Sequence, residues 1–339
     1  MNPLLNQHNL IPNKKRNAIF ILTITLFMLQ VFPLLATAKG PTPIGASPEF
    51  LTYWKSGLAE ISSYEIVEER YGEMRAAQGV LVFVYEEINA DSRIKVESEN
   101  TPLEKQVPVL KLNNVLKFTT GIYDYSVMTS IFAGISGPGV LRFLQPQKVS
   151  FTSQEWCGNV FHQLIPGKKG VMSEIHSYFE KEGDVKIILP YPNGTFHYED
   201  ELPILIRELD GPLLAMGDSL RTSMLPGLWE RRKRHDALSF APATLTKLKS
   251  ENWVHKGKSL NSVTWVLRFH EVTTYFHVEA AMPHKLWGWE NSRGESAKLL
   301  ESVRKPYWML NGNKDLNQRS VLKLEYGMHE ANGKPAINR

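Results

Sequence analysis

The chain of 339 residues has a single cysteine, Cys157, and that scarcity excludes several chemistries at once. No intramolecular disulfide can form, so the fold must stand on its core alone. Dithiol exchange is excluded too. The stretch V-S-F-T-S-Q-E-W-C-G-N-V-F-H-Q-L, Val149 to Leu164, reads W-C-G at its centre, but the place of a resolving thiol is taken by Val160. The ten histidines are scattered, with no H-x-H, H-E-x-x-H or Cys-His cluster, so no zinc site is expected. No G-x-S-x-G, G-x-x-x-x-G-K-[ST] or G-x-G-x-x-G occurs, so neither a nucleophile elbow nor a phosphate-cradling loop supplies a reaction or a cofactor. The chain also lacks tandem repeats, low-complexity tracts and long runs of one charge.

The first 38 residues stand apart. Lys14, Lys15 and Arg16 precede the apolar run AIFILTITLFMLQVFPLLA, and Ala36-Thr37-Ala38 closes it with small residues. This is the pattern of a secretory signal peptide over 1–38, which predicts export to the periplasm and a mature chain over 39–339. The competing expectation is an inner-membrane anchor over 17–36, since the run approaches spanning length. Without the leader's three basic residues the formal net charge falls from +4 to +1, so basicity implies no nucleic-acid partner. The cluster Arg231-Arg232-Lys233-Arg234-His235 reads as a solvated helix end.

Periodicity predicts a mainly β protein with some helix (α+β), built as a curved antiparallel sheet or open half-barrel. A short amphipathic helix is expected near 49–60, then strand-rich sequence over 60–198, a helical insert over 199–240 and strand-rich sequence again over 255–327. Many short β-branched and aromatic runs, separated by Gly, Pro and Asn, do not suit a doubly wound parallel sheet. Within this frame YSVMTSIFAGI, Tyr125 to Ile135, is expected as a helix capped by Asp124 or Ser126, because Val127, Ile131 and Phe132 fall at helical spacing. The insert is expected as two short helices broken by Gly211-Pro212 and Pro226-Gly227, and SVLKLEYG near the C-terminus as a strand.

Two polar and aromatic clusters are candidate ligand contacts: Tyr123, Asp124 and Tyr125, and Gln154, Glu155 and Trp156. Cys157 is the one candidate nucleophile, with Gln154 as an oxyanion donor and His162, His176 or His197 as its base. On a strand, Cys157 and His162 face opposite ways, and a buried structural cysteine is the expectation. The acidic pairs Glu68-Glu69, Glu86-Glu87 and Asp200-Glu201 read as solvated turn charges.

The blocks RYGE, GVLVFVYEE, FTTGIYDYSVMTS, KVSFTSQEWCG, YFHVEAAMPHKLWGWE and KPYW resemble an uncharacterised family of exported bacterial proteins, often labelled septum formation inhibitor Maf. The S-x-S-P-R-R phosphate motif of true Maf pyrophosphatases does not occur in this chain. The pairing expected of YFHVE with KLWGWE is similar in style to LolA/LolB-like periplasmic half-barrels. That likeness implies a sheet wrapped around a helix, with acyl chains held in its concavity. Leu213, Leu214, Met216, Leu220, Met224 and Leu225 would then suit a lid, or a helix covering the core. The functional expectation is a non-enzymatic envelope protein binding a lipid or other apolar ligand. The alternatives are a cysteine-dependent hydrolase or transferase centred on Cys157 and a structural partner in an envelope complex.

Overall fold

The computed structural model describes residues 45–255 and 257–324, so the expected signal peptide or anchor lies outside the described residues. Ser47 opens the first element: its side chain accepts from Phe50 N at 3.1 Å and Pro48 starts the helix. This helix, α1 (Pro48–Trp54), is shorter than expected because Phe50 and Trp54, four apart, already bury its apolar face. From Ala59 the pattern is strand.

Eight strands then run as an antiparallel meander: β1 (Ala59–Arg70), β2 (Glu73–Asn89), β3 (Gln106–Thr120), β4 (Tyr123–Gly134), β5 (Gln145–Glu155), β6 (Gly158–Gly167), β7 (Gly170–Ser177) and β8 (Val185–Leu189). The chain next reaches the opposite edge, where β9 (Phe196–Tyr198) lies parallel to β10 (Ser219–Leu225). It returns through β11 (Ala241–His255), β12 (Lys258–Phe269), β13 (Val272–Glu279), β14 (Leu286–Asn291) and β15 (Ser296–Lys305). Because β15 pairs antiparallel with β1, both strand-rich halves join in one 15-stranded sheet.

The topology forces that sheet to curve. Laid flat, fifteen strands would put β8 and β9 about 65 Å apart at ~4.8 Å per strand, yet the residues 190–195 that join them span at most about 25 Å. The edges therefore approach each other, and no pairing among the described residues closes them. The protein is mainly β, an open half-barrel with four short helices among the described residues.

Two expected elements fold differently. Tyr125 to Gly134 is strand β4, with Tyr125, Val127, Thr129 and Ile131 buried at a period of two. The β-branched residues on one face favour the pleated ladder over a helix, and Asp124, the expected cap, instead accepts from Thr119 Oγ1 at 2.7 Å across the β3–β4 hairpin. At the C-terminal end, Gln318–Val321 is a helical turn, α4. Leu322 just after it packs on Ala59, Ile61 and Val84, an apolar patch on the sheet separate from the main core. The remainder of the expected strand lies outside the described residues.

The main core fills the concavity, from Phe50 and Trp54 through Leu112, Phe118 and Phe151 to Trp265 and Trp287. The insert expected as helical over 199–240 holds two short helices, α2 (Leu202–Leu205) and α3 (Leu228–Arg234), but Ser219–Leu225 is strand β10, because it pairs with β11. It is tied to the sheet by ion pairs. Arg207, fully buried, meets Glu60 of β1 at 2.9 Å, Lys247 of β11 meets Glu208 at 2.5 Å, and Arg142 meets Glu201 at 3.0 Å. Such pairs cost desolvation but become expensive to break once buried.

Candidate functional site

A cavity of ≈ 180 Å³ opens inside the curve of the sheet, beside α3. Its apolar wall comes from both halves of the sheet: Leu116 and Val127 from β3 and β4, Leu267 and Phe276 from β12 and β13, and Trp289 from β14. The interior faces of these strands carry the large side chains, and α3 fills only part of the space between them.

The polar end of the cavity belongs to α3 and the strands around it. Lys233 places its Nζ 2.7 Å from Glu68 Oε1, 2.6 Å from Glu230 Oε1 and 2.5 Å from Glu295 Oε1. Three carboxylates that could otherwise enclose a metal ion thus converge on an ammonium, which fills the position a cation would need. Arg293 bridges Glu230 Oε2 at 2.5 Å and Glu295 Oε2 at 3.1 Å, Arg234 adds a contact to Glu230 at 3.3 Å, and Trp229 Nε1 donates to Glu68 at 2.8 Å. Burial opposes the charge on Lys233, but the three carboxylates outweigh it and hold its pKa above the ordinary value. Burial would likewise raise Glu230, yet Lys233 and Arg293 keep it down at about 2. Glu68 is pushed up to about 7, chiefly by burial, with Glu295 adding to the effect and Lys233 opposing it.

Glu199 and Asp200 line the same cavity. Glu199 Oε2 accepts from Gly227 N at 2.8 Å and Asp200 Oδ2 from Leu228 N at 3.0 Å, so both meet the start of α3. Each is pushed up to about 7, first by burial and further by Glu230. A third acid of this turn, Glu201, faces elsewhere and meets Arg142 and His197 Nδ1, the latter at 2.6 Å. Burial raises its pKa, but those two partners prevail and lower it.

Several expectations from sequence are corrected at this site. The basic run 231–235 is not a solvated end: Arg232 is buried against Glu182, and Lys233 occupies the charge centre. Glu68 and Glu201 are buried, and Asp200 faces the cavity, so these are not solvated turn charges. No local motif marks Glu68, Glu230, Glu295 and Arg293, because they arrive from distant segments. The faint signal available was the density of charge in E-R-R-K-R, which an apolar cavity makes unusual. The six apolar insert residues do not cover the cavity. Met224 and Leu225 are buried in β10, Leu213, Leu214 and Leu220 are partly buried against the core, and Met216 is exposed.

The candidates near Cys157 are split between two faces. Tyr125 is buried, stacked on Phe118 at 4.7 Å and bonded to Tyr71 Oη at 2.7 Å. Tyr123 lies on the same side and approaches Trp156 at 6.3 Å. Asp124, Gln154, Glu155, Trp156 and Cys157 border a depression of ≈ 520 Å³ on the other face and at the β5–β6 turn. Cys157 is not a buried strand residue. Glu155 pairs with Gly158, which leaves Trp156 and Cys157 as a two-residue hairpin turn with the thiol exposed. Turn geometry, rather than the alternation of the flanking strands, sets its orientation. Its backbone N–H donates to Glu155 Oε2 at 2.7 Å, and a side-chain hydrogen bond to Glu155 raises the thiol pKa. No histidine borders the depression among the described residues. His162, pushed down to about 3 by burial, is bonded to Ser173, His176 faces Glu174 and Asp184, and His197 faces Glu201.

No family model, curated protein or solved structure matches this chain, and no helix among the described residues is long and apolar enough to cross a membrane.

Proposed function

We propose that this protein acts in the cell envelope after export, holding a small apolar or amphiphilic molecule, lipid-derived or other, in the concavity of its sheet without transforming it. The observation that carries this reading is the cavity of ≈ 180 Å³, walled by apolar side chains from both halves of the sheet and charged at one end. An apolar cavity of about 150 Å³ is enough to hold benzene, so a ring or short chain fits the space as it stands. A long acyl chain would require the wall to move. Native mass spectrometry of protein purified from its own envelope fraction tests the reading. A bound small molecule released on denaturation is the expected result, whereas an empty protein that also fails to bind small aromatic and alkyl probes would overturn it.

A second reading, a partner in an envelope complex, is favoured by the tips of alternate hairpins. Tyr71, Ile122, Trp156 and Tyr178 follow β1, β3, β5 and β7, so the meander places them at one end of the sheet, all exposed. Exposed apolar clusters of this kind mark contact surfaces, and chemical cross-linking in intact cells tests the reading. For the cysteine-dependent alternative, no histidine borders the thiol among the described residues, and Glu155 favours its protonated form.

A further inference from the structure

The charges around the cavity are unevenly matched. Glu68, Glu230 and Glu295 share Lys233, Arg293 and Arg234, three acids against three cations. Glu199 and Asp200 have no ion-pair partner among the described residues, and each accepts only one backbone N–H. Both lie over Gly227: a Cβ there would stand 3.2 Å from Asp200 Oδ1 and 3.5 Å from Glu199 Oε2. A second observation points to the same space. Thr129 of β4 is only 4% exposed and borders the cavity, yet its hydroxyl makes no hydrogen bond among the described residues. Thr274 on the opposite wall is in the same position.

We infer that the ligand of this cavity is a small primary ammonium ion on an apolar body, its charge received by Glu199 and Asp200 and its apolar part by the walls around Phe276 and Trp289. The inference rests on the reading that the cavity holds a ligand at all. Two half-buried carboxylates partly withdrawn from bulk water without a counter-ion are costly, and they respond by holding a proton. An ammonium would replace that proton, its three N–H groups donating to the two carboxylates and to the Thr129 hydroxyl. An anionic ligand would add to the acidic excess, and a neutral one would leave it uncompensated.

The pH dependence follows from the groups that face the pair: Glu230 and Arg234 on α3, Glu68 on β1, and Arg293 and Glu295 in the β14–β15 connection. Since Glu199 and Asp200 sit near 7, they are neutral at pH 5.5 and charged at pH 8. Ammonium affinity therefore rises with pH, while that of a neutral analogue stays level.

The experiment titrates the protein with benzylamine, benzyl alcohol and benzoate at pH 5.5 and pH 8, following intrinsic tryptophan fluorescence, to which Trp229 and Trp289 at the cavity contribute, and checking by calorimetry. Benzylamine is expected to bind at least tenfold more tightly than benzyl alcohol at pH 8, with the gap shrinking to about twofold at pH 5.5 and in the Glu199→Gln/Asp200→Asn variant. If benzyl alcohol or benzoate binds as tightly as benzylamine at pH 8, the inference is overturned while the cavity reading stands. If none of the three binds at millimolar concentration, the cavity reading fails and takes this inference with it. Should the double variant not fold, the pH comparison on the unaltered protein decides alone.

Discussion

The charge centre around α3 and the hairpin tip at Trp156-Cys157 teach opposite lessons about what makes a residue conspicuous. The tip is rich in motif, with an aromatic, the sole cysteine and a glycine in succession, but it is a two-residue turn at the surface with Trp156 70% exposed. The charge centre has no motif. Glu68, Lys233 and Glu295 are separated by well over a hundred residues and by sixty more, yet their charged atoms lie within 2.7 Å of each other's partner. Water solvates the first region and leaves it chemically ordinary. Its exclusion from the second makes each charge depend on a specific neighbour.

That contrast can be broken by mutation, most severely where burial is deepest. Arg207→Ala leaves Glu60, 1% exposed, without its cation and removes the contacts of the guanidinium with Trp54 and Phe83. A loss of about 3–5 kcal/mol in urea unfolding is expected, against no more than ~0.5 kcal/mol for Lys105→Ala, which removes the exposed pair with Asp91. Equal effects would erase the distinction between buried and solvated charge on which the comparison rests.

The next effect is a pH dependence with an unusual sign. Glu199 and Asp200 have folded pKa values raised to about 7, so their contribution is fully present below the ordinary carboxylate range and is lost as pH rises through 7. Glu199→Gln/Asp200→Asn should therefore unfold like the parent at pH 4 but be more stable at pH 8 by on the order of 2–3 kcal/mol, less than the full shifts would give because both side chains are only half-buried and partly screened by water. Thermal melts across that range check it, and a variant less stable at pH 8 would show that the carboxylates act as plain helix caps.

Thr129→Val is a smaller perturbation. Because the hydroxyl has no partner among the described residues, the loss in stability should stay within about 0.5 kcal/mol, while benzylamine affinity falls a few-fold. A larger destabilisation would reveal a structural hydrogen bond. The smallest effects belong to the tip. Cys157→Ser should leave both the melting temperature and ligand binding unchanged, and Glu155→Gln should speed alkylation of Cys157 by iodoacetamide at pH 7, since Glu155 holds the thiol protonated. Unchanged alkylation would separate the thiol from that carboxylate.

Much of the architecture was legible from local pattern. The alternation in β1, the β-branched and aromatic run in β2 and the turn residues between strands each act over a few residues, where sequence is informative. YSVMTSIFAGI shows the limit: its apolar residues satisfy both a period of two and a helical spacing, and pairing with β3 and β5 decided between them. The candidate site was hardly legible. Tyr123, Asp124 and Gln154 were singled out by local density of polar and aromatic groups, but a strand sends neighbours to opposite faces, so the cluster is divided.

The sequence by itself determined the class of the fold and the absence of disulfide and dithiol chemistry, because periodicity, turn residues and cysteine number are local or compositional properties. Only the tertiary structure decided which charges are buried. The pairing of β15 with β1 and the curvature that brings β8 toward β9 enclose a low-dielectric space, into which E-R-R-K-R and the Glu199-Asp200 turn are folded. Whether a carboxylate is a solvated turn charge or a half-buried acid without an ion pair depends on that enclosure, a property of contacts far apart in the chain.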